Sequence, residues 1–128
     1  MGKEKPVYKT FVETSFSAAH QLKGYKGSCG ELHGHTWTVR AEVETDKLDK
    51  LGMTIDFKDL KRKLDSVVRE FDHRCINQRK PFIKKNPTAE NLAEYIYLNM
   101  GKVLSDDIKI IEVTVLESPN YGVKYSER

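Results

Sequence analysis

Between Val7 and Ala19 the chain reads VYKTFVETSFSAA, rich in β-branched and aromatic residues, with Tyr8, Val12, Phe16 and Ala18 on one parity. That period of two predicts a long strand, and His20 extends its apolar face. A loop follows from Gln21 to Gly34, marked by four glycines among serine and lysine. From about His35 to Thr45 the alternation is clean. Trp37, Val39, Ala41 and Val43 share one face, and Thr38, Arg40, Glu42 and Glu44 share the other.

The period then changes. Phe57, Leu60, Leu64, Val67, Val68 and Phe71 recur at helical spacing behind Asp56, a plausible N-cap, and the pattern ends near Asp72-His73-Arg74. After a polar stretch containing Pro81, NPTAENLAEYIYLNMGKVL predicts a second helix, with Asn86 as N-cap and Pro87 in the first helical position. Leu92, Ala93, Ile96, Met100 and Val103 form its buried stripe. A strand from Lys109 to Glu117, a turn at SPNYG and a returning strand from Val123 complete the order ββααββ. Consecutive strands favour antiparallel pairing, and two adjacent helices can cover one sheet face. The expected class is therefore α+β, with an antiparallel four-stranded sheet and two helices on one side.

The chain has 128 residues, a length that fits one domain, and 32% of them are charged with a net charge of +3. Its basic residues are spread out, and the one local concentration, KDLKRK, lies in a helical pattern, so nucleic acid is not an expected partner. No apolar run approaches the ~18 residues of a membrane span, and MGKEKPVYK lacks a signal-peptide core. A cytoplasmic location is expected, where Cys29 and Cys75 act as thiols rather than as a disulfide.

The candidate chemistry lies in CGELHGHTW, Cys29 to Trp37. His33, His35 and Trp37 share strand parity, so two imidazoles can point the same way. If the first two strands pair as a hairpin, His20 joins them. Three neutral nitrogen ligands suit zinc, and three protein ligands leave a fourth position for water or substrate. Cys29, four residues before His33, is open to two readings. It could close the site as a fourth ligand, giving a structural zinc centre in a non-enzymatic interaction domain, or it could be a thiolate base or nucleophile beside the metal.

Asp72 beside His73 offers a proton relay, since a carboxylate fixes a histidine's tautomer, although His and Arg are also favoured at a helix C-terminus. Glu117 extends the apolar face of Ile111, Val113 and Val115, where its two acceptor oxygens could grip a ligand edge bearing adjacent N–H groups. Thr88 and Glu90, at the second helix start, could add polar contacts, with capping and solvent exposure as the plainer explanations.

Taken in order, His20, CGELHGH, Asp72-His73, NPTAENLA and LES at Glu117 resemble the 6-pyruvoyl-tetrahydropterin synthase family over nearly the whole chain, most like its 6-carboxy-5,6,7,8-tetrahydropterin synthase branch. The resemblance implies the tunnelling fold (T-fold), in which subunits form trimers around a β-barrel and two trimers make a homo-hexamer with interfacial active sites. It implies His20, His33 and His35 as ligands of Zn2+, Cys29 as catalytic base, Asp72 and His73 as its relay, and Glu117 as the pterin anchor. The small-molecule substrate implied is 7,8-dihydroneopterin triphosphate, converted to 6-carboxytetrahydropterin with release of acetaldehyde and triphosphate, in queuosine biosynthesis. Lys23 and Lys26 are candidate triphosphate contacts. The pyruvoyl branch and the 6-hydroxymethyl-dihydropterin-forming branch are the alternatives. The latter typically carries glutamate in place of the cysteine, which Glu31 keeps open.

Overall fold

A computed structural model describes residues 4–27 and 30–128. Strands β1 (Tyr8–His20) and β2 (His33–Thr45) form an antiparallel hairpin that pairs Tyr8 with Thr45 at one end and His20 with His33 at the other. Helix α1 (Phe57–Val68) runs into a single 3-10 turn at Arg69–Phe71. Strand β3 (Arg74–Cys75), helix α2 (Ala89–Val103), strand β4 (Lys109–Ser118) and strand β5 (Tyr121–Tyr125) follow. The sheet order is β3-β1-β2-β4-β5.

The sheet buries one face. Trp37, Val39, Ala41 and Val43 from β2, with Val113 and Val115 from β4, pack against Leu60 and Leu64 of α1 and Leu92, Ile96 and Met100 of α2. Burying each such side chain contributes about 1.5–3 kcal/mol. Asp56 caps α1 by accepting from the Lys58 N–H at 2.8 Å. The opposite sheet face is polar, carrying residues such as Glu13, Thr38, Arg40 and Thr114, so the helices lie on the apolar side alone.

The α+β class and the covering helices agree with the sequence pattern, while several details differ. The sheet has five strands, because β3 adds a two-residue parallel edge beside Ala18 and Ala19 of β1. A segment that short shows no periodicity. The loop ends at Leu32, since His33 and Gly34 already belong to β2, and β5 starts at Tyr121 rather than Val123. The register slips between Glu42 and Val43, where Glu42 pairs with Glu112 but Val43 with Ile110. Ile111 is the extra residue of this bulge, so Ile110 joins Val113 in the core in its place.

Phe57 and Val103, expected on the buried helical stripes, are exposed at the helix ends. The N-cap of α2 is Thr88, whose hydroxyl accepts from the Asn91 N–H at 3.0 Å; Asn86 is not the cap and Pro87 is not the first helical residue. The Asn86 side chain is engaged elsewhere, on the backbone of Lys23.

Candidate functional site

The β1–β2 register sets His20 directly opposite His33, and Ala18 opposite His35. All three imidazoles therefore lie on the helix-covered face, at the end of the hairpin. One ring nitrogen from each lies within 4.8 Å of the others. Trp37, fully buried, forms the floor. Its ring meets His20 and His35 edge-on at centroid distances of 4.8 and 5.2 Å, and its Nε1–H donates to the Ala18 carbonyl at 3.2 Å.

Hydrogen bonds to carbonyls determine the tautomers. A carbonyl only accepts, so the His20 Nδ1 that lies 2.7 Å from the Pro87 oxygen must be the protonated nitrogen. The same holds for His33, whose Nδ1 lies 2.6 Å from the Glu31 oxygen. Both neutral rings then present bare Nε2 lone pairs, which face each other at 3.0 Å with no proton to share. The Nε2 of His35 is buried and has no hydrogen-bond partner among the described residues. Two opposed lone pairs and a third buried ring nitrogen without a partner are costly in isolation and are satisfied together by one cation. The donor set, three imidazole nitrogens with two of the rings oriented by outer carbonyls, fits zinc.

Burial pushes the pKa of His20 below its ordinary value, against the opposing pull of the Pro87 carbonyl. Burial also lowers that of His35, with Glu117 opposing. Both rings are thereby kept neutral, the form that ligates. Glu117 continues the Val113 and Val115 face, and its Oε2 lies 3.8 Å from the His35 Nε2, too far for a hydrogen bond. Its carboxylate makes no hydrogen bond among the described residues, so both oxygens are free to accept from a ligand.

Asp72 and His73 lie beside β1 and are not part of the group formed by the three histidines. The Ser17 N–H donates to Asp72 Oδ1 at 3.1 Å, and the His73 N–H donates to the Ser17 carbonyl at 2.6 Å. His73 adopts φ 58°, in the left-handed region, to make this double contact. The Ser17 hydrogen bond, with the adjoining His73, holds the Asp72 carboxyl below its usual range. Asp72 Oδ1 lies 3.0 Å from His73 Nδ1, and the imidazole is 81% exposed. An open cleft of ≈ 560 Å³ has both His35 and His73 on its lining, with Thr36, Arg74 and Cys75. Cys75 is a half-buried thiol.

Thr88 is engaged as the helix cap, and Glu90 is exposed on the first turn of α2. Cys29 lies outside the described residues. The carbonyls of Pro87 and Glu31 carry no side-chain signal in the sequence, which is why the groups that orient His20 and His33 escape a reading of residue types.

The sequence profile of the 6-pyruvoyl tetrahydropterin synthase family matches residues 9–128. The chain belongs to that family. The chain is similar to the dihydroneopterin monophosphate aldolase of Pyrococcus furiosus, 39% identical over 110 residues that cover 86% of this chain and 90% of that protein. It is also similar to the 6-carboxy-5,6,7,8-tetrahydropterin synthase of Synechocystis sp., 34% identical over 124 residues covering 93% and 91% of the two chains. The 6-pyruvoyl tetrahydropterin synthase of Caenorhabditis elegans shares the fold, with a TM-score of 0.84, 26% identity, and coverage of 99% of this chain and 100% of that one. The T-fold subunit expected from the sequence is thus the observed one, with its sheet open rather than closed into a barrel in the single chain.

Proposed function

We propose that the chain is a zinc-dependent 6-carboxy-5,6,7,8-tetrahydropterin synthase, a lyase that converts 7,8-dihydroneopterin triphosphate to 6-carboxytetrahydropterin, releasing acetaldehyde and triphosphate, on the cytoplasmic route to queuosine. The observation that carries this reading is the convergence of His20, His33 and His35, two of them with tautomers set by carbonyls, in a chain of this family. Relatives named 6-carboxy-5,6,7,8-tetrahydropterin synthase support the choice of branch.

In this reading the three histidines hold zinc, which when bound supplies Lewis-acid polarisation of the substrate's side-chain oxygens. Glu117 accepts from the amino-pyrimidine edge of the pterin, with Thr88 and Glu90 near that end. Cys29 takes and returns protons on the side chain. Asp72, held ionised by the Ser17 N–H, accepts the Nδ1–H of His73, so the exposed Nε2 is the position that exchanges a proton.

Assembly completes the picture. Strand β3 pairs only Ala18 and Ala19 of the 13-residue β1, so the edge of Tyr8–Phe16 meets no strand among the described residues, nor does the outer edge of β5. Unpaired edges at both ends of one sheet invite head-to-tail pairing of copies into a closed ring. A homo-hexamer built from two such trimers would bring the exposed His73 of one copy towards the site of another.

The test is mass spectrometry of the pterin formed when zinc-loaded protein meets 7,8-dihydroneopterin triphosphate, with acetaldehyde assayed in the same reaction. The carboxy product with acetaldehyde is expected. The Pyrococcus relative favours a second reading, an aldolase acting on dihydroneopterin monophosphate, and a hydroxymethyl pterin formed from the monophosphate alone would establish it. A pyruvoyl product would reassign the branch within the family.

A further inference from the structure

Two asparagines outside the histidine cluster grip the chain just after His20. Asn77 accepts from the Gln21 N–H at 2.8 Å through Oδ1 and donates from Nδ2 to the Gln21 carbonyl at 2.9 Å. Asn86 repeats this pattern two residues further on, accepting from the Lys23 N–H and donating to the Lys23 carbonyl, both at 3.0 Å. Each carboxamide reproduces both hydrogen bonds of a β-ladder rung, so two side chains replace a missing neighbouring strand.

The grip is anchored at one side and transmitted at the other. The Asn86 carbonyl accepts from the Asn91 side chain at 2.8 Å, and Asn91 lies in the first turn of α2, capped by Thr88. Pro87, next to Asn86, orients His20. The Gln21 side chain in turn donates from Nε2 to the Gly30 carbonyl at 3.0 Å. Gly30 follows Cys29 in the chain, so a continuous path runs from Asn77 through Gln21 to the residue beside the thiol.

We propose that Asn77 and Asn86 are positioning residues for the proposed synthase reaction: they fix Gln21 and Lys23 and, through the Gln21 side chain, Gly30, and so hold the β1–β2 loop at these residues beside the histidine cluster. The proposal rests on the synthase reading. Neither asparagine side chain hydrogen-bonds a histidine of the cluster, so zinc is expected to stay bound when either is replaced. A loop displaced by about 1 Å can cost catalysis on the order of a hundredfold.

The test compares the full-length zinc-loaded protein with N77A, N86A and Q21M. The expected result is one zinc per chain throughout, a kcat lowered about tenfold or more with KM changed by less than about threefold, and faster hydrogen exchange at the Gln21 and Lys23 amides in N77A and N86A respectively. Gln21 is exposed, so Q21M keeps the last link testable if an asparagine variant fails to fold. Unchanged kcat in folded variants, or unchanged amide exchange, overturns the proposal. Loss of zinc in step with activity also overturns it, because the asparagines would then support the ligands rather than the loop. A wild-type protein without turnover counts against the synthase reading, and the amide exchange still decides whether the asparagines hold the loop.

Discussion

Substituting Gly30 by alanine perturbs the loop with the least chemistry. A Cβ at this position would stand 2.1 Å from the Tyr25 carbonyl oxygen and 3.2 Å from its carbon. Ordinary carbon–oxygen contacts begin near 3.3 Å, so about 1 Å of separation is missing. The obstructing atom is backbone and cannot rotate away. Relief must come from moving Gly30, which donates to Gly27 at 3.0 Å and accepts from Gln21. A shift of that size beside Cys29 predicts a kcat lowered roughly a hundredfold. The loop is largely exposed, so global stability should fall by only about 1 kcal/mol, a change of roughly 3–5 °C in Tm for a chain of this size. Steady-state kinetics, zinc content and a thermal melt on one G30A preparation separate the two effects. Wild-type kcat in a folded, zinc-replete G30A would refute the argument that this close approach sets the loop.

Thr88→Ala removes the hydroxyl that caps α2 and should cost about 1 kcal/mol, read as a lower Tm with KM nearly unchanged; a large rise in KM at constant Tm would instead return Thr88 to substrate binding. Chelating the metal should lower Tm by roughly 10 °C relative to protein in zinc at a hundred times its Kd, where ligation is worth about 2.7 kcal/mol, and His35→Ala should abolish most of that difference; equal melts with and without zinc would count against the site. Leu64, fully buried on the sheet-facing side of α1, should cost about 3 kcal/mol when truncated to alanine, measured by denaturant titration, and a loss below about 1 kcal/mol would contradict the packing described. Burial and the bond to Glu70 push the Tyr95 phenol up to about 12, above its unfolded value of 10.0, so its stabilisation is complete below pH 10 and is lost as pH rises through about 12. Tyr95→Phe should therefore lose less stability than wild type across that window, and parallel losses in the two proteins would argue otherwise.

The strands and the histidine cluster were legible because both depend on parity. A period of two placed Trp37, Val39, Ala41 and Val43 on the buried face, and the same period, with the hairpin pairing, brought His20 to His33 and His35. Parity fails where the backbone inserts a residue. The bulge at Ile111 exchanges its place with Ile110, and nothing in a run of apolar side chains marks which residue will be extra. The cap of α2 was misplaced for a different reason. Asn86 and Thr88 are both good capping types, and the choice between them is made by the Lys23 backbone, distant in sequence. The Asp72–His73 pair is visible as a pair, but its attachment to Ser17 and its exposure depend on where β1 passes, which local spacing does not encode.

Whether Cys29 acts beside the metal or on it decides between a catalytic and a closed structural centre. X-ray absorption of the zinc-loaded protein at the metal edge addresses this directly. A first shell of nitrogen and oxygen alone, near 2.0–2.1 Å with three imidazoles, is the result expected of an open site held by His20, His33 and His35. A sulfur at about 2.3 Å would make Cys29 the fourth ligand and contradict the assignment of an open, catalytic zinc.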